Sequence, residues 1–159
     1  MKIQQLFENN RQPLFHGTDF YSTCNIILTN TMSEGEYFGL PGEPHGIRTT
    51  RDYKVAERFT HNHEEYGLGG IFVFDTNKLR NRYKIIQYND RINGHASYDE
   101  AEEVIATEVI ENIDQYIIRI DLERKRISEG IIALEEDESF DIIDQMDKIL
   151  SYSKLNIKD

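Results

Sequence analysis

Two adjacent carboxylates, Glu102 and Glu103, open the apolar stretch Val104-Ile105-Ala106. Far upstream, Leu14-Phe15 runs into His16-Gly17-Thr18. Between them lies Gly46-Ile47-Arg48-Thr49-Thr50-Arg51-Asp52-Tyr53, which continues to Ala56 and Phe59. A fixed carboxylate can stabilise positive charge developing on a sugar carbon, as in glycoside cleavage. One Glu, one His and a tight backbone edge can do so without a metal ion. A glycine lets backbone come close to a flat ligand, because it has no Cβ. Each piece also has a plain structural reading: solvent-facing Glu at a strand start, and a satisfied His at a strand end. Strand alternation sends Glu102 and Glu103 to opposite faces. Glu100 lies two before Glu102, so a register error would leave Glu102 as the functional residue.

In this order the three pieces resemble the NAD-using ADP-ribosyltransferase family. In that family a strand ending in His-Gly-Thr or His-Gly-Ser opens the site. A second strand runs into a helix of the Thr-x-x-x-x-x-Ala-x-x-Phe kind, and a late strand carries a Glu followed by Val or Ile. The resemblance touches most of residues 13–121. It implies that Glu103 is the catalytic carboxylate, bound to the nicotinamide-ribose hydroxyl. It implies that His16 hydrogen-bonds ribose hydroxyls, that the Gly17 backbone meets the nicotinamide amide, and that Thr18 is the small hydroxyl neighbour. Many relatives carry an aromatic ring where this chain has Arg48. A guanidinium can also stack on a flat ring or clamp a pyrophosphate, and Tyr53 or Phe59 can supply the ring.

The activity implied is NAD-dependent mono-ADP-ribosyl transfer to a macromolecule, or NAD glycohydrolysis, with NAD as co-substrate. A related alternative is an RNA 2′-phosphotransferase, which also uses a His-Gly-Thr strand and relies on Arg. That family usually has an extra N-terminal lobe, for which no room precedes His16. A third is a non-enzymatic acidic interaction protein that keeps only the scaffold.

The chain has 159 residues and a formal net charge of −11. That length fits one domain over 1–159 with a real core. The acidity disfavours nucleic acid, because it repels a phosphate backbone, and leaves a protein as the expected target. The run Lys78, Arg80, Arg82 and Lys84 is the candidate basic patch in mid-chain, and it reads as a solvated turn. Cys24 is the only cysteine, which excludes an internal disulfide and a thiolate cluster. It falls in a helical stretch as a small hydrophobe. No signal-like or membrane-spanning run appears, so a cytoplasmic protein without membrane contact is expected. His61-Asn62-His63-Glu64 has no known zinc spacing and reads as the polar end of a helix.

The elements that must position these residues follow from periodicity. A short helix is expected over 2–8 and strands over 14–16, 47–50, 71–74, 83–88, 103–107 and 116–120. Helices are expected over 19–30, capped by Thr18 or Asp19, and after Asp52, with Tyr53, Ala56 and Phe59, and Val55 beside them, facing inward. Residues 31–46 hold Gly35, Gly39, Gly42 and Gly46 with two Pro. They read as a long loop, and 33–46 as a mobile lid. Residues 89–99 read as a polar loop. From 122 to 159 the pattern is a helical extension packed on the domain, with Phe140, Ile143, Met146, Asp147 and Leu150 on one stripe, supported by Ile142 and Ile149, and Ser139 as cap. The order implies an α+β fold. The resemblance narrows that to an ADP-ribosyltransferase-like split pair of small β-sheets with flanking helices.

Overall fold

A computed structural model describes residues 12–35, 44–61, 64–88 and 102–159. The expected helix over 2–8, the loop over 89–99, Glu100, residues 36–43 of the lid, and Asn62 and His63 lie outside the described residues.

Six of the described strands are four residues long, and among these only Ile71–Phe74 is apolar throughout, as a strand buried on both faces requires. In chain order the strands are β1 (Leu14–Gly17), β2 (Thr31–Ser33), β3 (Ile47–Thr50), β4 (Ile71–Phe74), β5 (Ile85–Tyr88), β6 (Glu102–Ile105), β7 (Val109–Glu111), β8 (Ile117–Glu123) and β9 (Leu155–Lys158). Seven form one sheet in the order β5-β6-β3-β1-β4-β8-β9, and β2 pairs with β7 in a second. The pairs are antiparallel except β8–β9, which is parallel. The fold is therefore α+β, with one large sheet and one small one.

Helix α1 (Phe20–Thr29) starts where Asp19 accepts the Ser22 amide at 2.7 Å. It ends at Asn30, whose backbone is left-handed with φ 54°. Helix α2 (Tyr53–Phe59) starts where Asp52 accepts the Lys54 amide, and α3 (Thr76–Arg80) where Asp75 accepts that of Lys78. Such caps are each worth about 1 kcal/mol. Helices α4 (Arg124–Glu136), α5 (Phe140–Ile143) and α6 (Met146–Leu150) follow β8.

Two cores result. Leu14, Phe72, Phe74, Ile47, Ile105 and Ile120 on one sheet face meet Ile26 of α1 and Met32 and Ile110 of the small sheet. Phe20 and Cys24 of α1 meet Leu134, Ile142, Met146 and Ile149 of the last helices. Burial pushes the Cys24 thiol up to about 12, so it stays a protonated hydrophobe.

Several expectations change. The tail is not wholly helical, because Leu155–Lys158 returns to the sheet as β9. The expected stripe breaks into two short helices, and Ile142, Met146 and Ile149 are its buried positions while Phe140 is exposed. Ser139 precedes α5 without a side-chain cap, its hydroxyl donating instead to Asp137. Phe59 is on the exposed side of α2, and Val55 and Ala56 face in. The loop expected over 31–46 begins with β2.

Candidate functional site

Directly opposed residues of paired strands project to the same sheet face. The registers put Gln87 opposite Glu103, and Glu103 opposite Thr49. Phe15 opposes Thr50, which sets His16 beside Thr49, and His16 opposes Phe72. One row across four strands thus reads Gln87, Glu103, Thr49, His16. Glu103 and His16 are two strand spacings apart, about 10 Å. A nucleoside can bridge a gap on that scale.

Glu103 is buried, with 3% of its surface exposed. A buried carboxylate needs compensation, and two guanidiniums supply it. Arg51 Nε lies 3.2 Å from Glu103 Oε1 and Arg80 Nη2 lies 3.8 Å from Oε2. The Arg51 N–H is not aligned on that oxygen, so among the described residues it is a buried donor without a hydrogen-bond acceptor. Thr49 Oγ1 donates to the Glu103 carbonyl at 2.6 Å and ties β3 to β6 beneath the side chain.

His16 Nδ1 donates to the Arg48 carbonyl at 2.7 Å, which leaves Nε2 as an acceptor. Burial lowers the imidazole below its ordinary 6.5, against the opposing pull of the Arg48 carbonyl and Asp19. The ring keeps some solvent contact, yet its surroundings are dense enough for desolvation to dominate. Near neutral pH it is an uncharged ring able to accept from a hydroxyl.

The other sheet face is built differently. Arg48 Nη1 donates to Glu102 Oε1 there, in an ion pair whose carboxylate is buried. Gly17 shares that face, and α2 presses on it so closely that a Cβ on Gly17 would meet the Ala56 carbonyl oxygen at 1.8 Å. The missing side chain makes room for the helix. Tyr53 of α2 packs edge-on against Phe15 at 5.2 Å and donates to Asp121 Oδ2 at 2.8 Å. Arg119 and Asn156 donate to Asp121 Oδ1 at 3.0 and 2.7 Å. Burial pushes Asp121 up, but the donors from Asn156, Arg119 and Tyr53 outweigh it and hold the carboxyl below its ordinary range. A cavity of about 40 Å³ lies alongside, bordered by Tyr53, Glu57, Asp121, Arg126 and Lys158. It has room for a water or two.

The structure therefore brings His16 and Glu103 together on one face. It does not bring the side chains of Arg48 and Tyr53 there, and Phe59 lies on the exposed side of α2. Gly17 faces α2. Thr18 is tied by its amide to the Gly70 carbonyl at 3.2 Å, at the end of β1. Arg48 serves His16 through its carbonyl and Glu102 through its guanidinium. Arg51, Arg80 and Thr49 are the residues that sequence reasoning passed over. Alternation puts Thr49 and Arg51 on one side of β3 and Arg48 on the other, and only the pairing of β3 with β6 shows that Thr49 is on the Glu103 side. Nothing local foretold Arg80.

No protein-family model, curated protein or solved structure matches the chain. Among the described residues no helix is long and apolar enough to cross a membrane. Among the same residues no group of three or more His, Cys, Asp and Glu could hold a metal ion.

Proposed function

We propose that the chain cleaves the nicotinamide–ribose bond of NAD. It would act as a mono-ADP-ribosyltransferase, or as a glycohydrolase when water is the acceptor. The observation that carries this reading is the polar row in which Glu103 and His16 share one sheet face. Loss of nicotinamide takes the bonding electron pair with it and leaves positive charge on the ribose carbon. A carboxylate fixed beside that carbon stabilises the charge as it forms. The acceptor then bonds to the carbon and gives up a proton, which Glu103 can take. His16 Nε2 would accept from a ribose hydroxyl and fix the sugar. Arg51 and Arg80 together exceed the charge of Glu103 by one, and the Arg51 Nε–H lacks a hydrogen-bond acceptor. Pyrophosphate oxygens would supply both needs.

A second reading draws on those same arginines. Two cations closing on one carboxylate also make a self-sufficient structural cluster, as a non-enzymatic protein on this scaffold would have. Calorimetric titration with NAD separates the two. Binding that His16→Ala weakens supports the enzyme reading. No binding by the folded protein, with no nicotinamide released, supports the structural one.

A further inference from the structure

Glu103, Arg51 and Arg80 meet as charges but not as hydrogen-bond partners. Arg51 Nε lies 3.2 Å from one Glu103 oxygen, and Arg80 Nη2 lies 3.8 Å from the other. The first contact is misaligned and the second is too long for a hydrogen bond. Among the described residues no donor hydrogen-bonds the Glu103 carboxylate, and no acceptor takes the Arg51 Nε–H. A carboxylate buried to this degree ordinarily collects donors, as Asp121 does from Tyr53, Arg119 and Asn156.

The three groups also differ in freedom. The Glu103 side chain is 4% exposed, against 26% for Arg51 and 38% for Arg80. Arg51 directly follows β3, and Arg80 is the last residue of α3. The helix itself is held by its Asp75 cap, by the Thr76 hydroxyl donating to the Gln12 carbonyl, and by the fully buried Leu79. Among the described residues Glu103 is the one ion partner of Arg80. The Arg80 side chain can therefore swing outward while its backbone stays in place. A small group can then enter between it and Glu103.

We propose that this cluster binds a phosphate group that carries its own hydroxyl. The proposal goes beyond NAD cleavage, although it uses the same carboxylate. Two cations against one anion call for an anionic ligand. The guanidiniums offer N–H donors, in the forked geometry that suits an oxyanion. A carboxylate can only accept. The ligand must therefore accept on one side and donate on the other. Inorganic phosphate near neutral pH keeps at least one P–O–H and does both. Sulfate has much the same shape and charge but no proton, so its lone pairs would face those of Glu103. The buried carboxylate thus rejects the wrong oxyanion as well as anchoring the right one.

The test is calorimetric titration of the full chain with inorganic phosphate and with sulfate, at equal ionic strength and without NAD. Phosphate should bind, and sulfate should bind at least about 100-fold more weakly, because the site is built to accept from a hydroxyl. Glu103→Gln can donate from its amide, so it should gain sulfate affinity and bring the two anions within about tenfold of each other. Arg80→Gln should weaken phosphate by about tenfold, through loss of a charge-assisted hydrogen bond. Methyl phosphate, titrated in parallel, identifies the source. Binding by both phosphates supports the proposal for monoesters, and binding by inorganic phosphate alone supports it for the free ion. No phosphate binding, or sulfate binding as tightly as phosphate, would overturn it. So would a preference for phosphate that persists in Glu103→Gln. The anion comparison needs only the unmutated protein, so it decides the matter even if a variant folds poorly. Because NAD is absent, failure here leaves the reading of nicotinamide cleavage standing. Phosphate binding without nicotinamide release would leave this site standing alone.

Discussion

Glu102 and Glu103 are neighbours on β6, both are buried, and both meet arginines from the β3 region. Their surroundings nonetheless differ in kind. On the Glu102 face several groups pair with one another. Arg48 answers Glu102, Ala56 fills the space above Gly17, and Asp121 takes three hydrogen bonds. On the Glu103 face satisfaction is incomplete. Among the described residues Arg51 has an N–H without an acceptor, His16 Nε2 has no donor, and the two arginines exceed the charge of Glu103 by one. Native proteins leave buried polar groups incompletely paired at few places, and function is a common reason. The Glu103 face also carries the main apolar core, with Leu14, Ile47, Phe72 and Ile105 beside the polar row, so the incompletely paired groups are confined to that row.

The largest test of this contrast is Glu103→Gln. Gln is nearly isosteric and can still hydrogen-bond a ribose hydroxyl, so NAD affinity should largely survive. It has no charge to oppose an oxocarbenium. Nicotinamide release should therefore fall by about two to three decades, or about 3–4 kcal/mol in barrier. Stability should drop by only about 1–2 kcal/mol, because the partly exposed arginines can turn to water. Normal release by the variant would remove Glu103 from the chemistry.

Gly17→Ala probes the opposite face. Its Cβ would collide with a backbone oxygen, which cannot rotate away as a side chain can. α2 would have to lift from the sheet, at a cost of about 3 kcal/mol. Thermal unfolding should show that loss. An unchanged melting temperature with loss of NAD affinity would mean that Gly17 faces a ligand after all.

Glu102→Gln should cost less. The Arg48 side chain is 36% exposed, so water can solvate it once its partner is neutral. A loss of about 1–2 kcal/mol in chemical unfolding is expected, with nicotinamide release unchanged. This variant is not the cost-free control that a solvent-facing Glu would give, because Glu102 is buried and paired. Loss of release with intact stability would exchange the roles of the two faces.

How far this was legible in the sequence varies with distance along the chain. β4 is legible as a short apolar run, β1, β3 and β6 as short stretches rich in apolar or β-branched residues, and Asp19 and Asp52 as helix caps, because those signals are local. Alternation correctly separates Glu102 from Glu103. Alternation along β3 alone does not say whether Arg48 shares a face with His16; the β1–β3 register decides that it does not. β2 and β7 are only three residues long and carry no period of their own, whereas β9, Leu155-Asn156-Ile157-Lys158, does alternate but falls in a tail whose upstream pattern is helical. Pairing with distant strands decides them. Arg80 was read as part of a solvated turn, since only the tertiary fold brings α3 to β6.

The smallest expected effect separates the two faces by pH. His16 has its folded-state value below the ordinary 6.5 because burial disfavours the cation. Its contribution is therefore fully present above 6.5 and is lost as pH falls toward the lowered folded value. The loss is at most about 1.4 kcal/mol per pH unit, and only within that window. His16→Gln cannot titrate. Comparing urea unfolding of the two proteins between about pH 7.5 and about pH 5.5 isolates the effect, because other groups cancel in the difference. The unmutated protein should show the steeper fall. Asp121 on the opposite face follows a different window. Its folded value lies below the ordinary 3.8, so its stabilisation is present above that pH and lost as pH falls through the lower folded value. Asp121→Asn should leave the slope between about pH 7.5 and about pH 5.5 intact and change it only in stronger acid. If His16→Gln left the slope near pH 6 unchanged, the imidazole would be well solvated, and the contrast between the paired groups and the incompletely paired row would lose its His16 half.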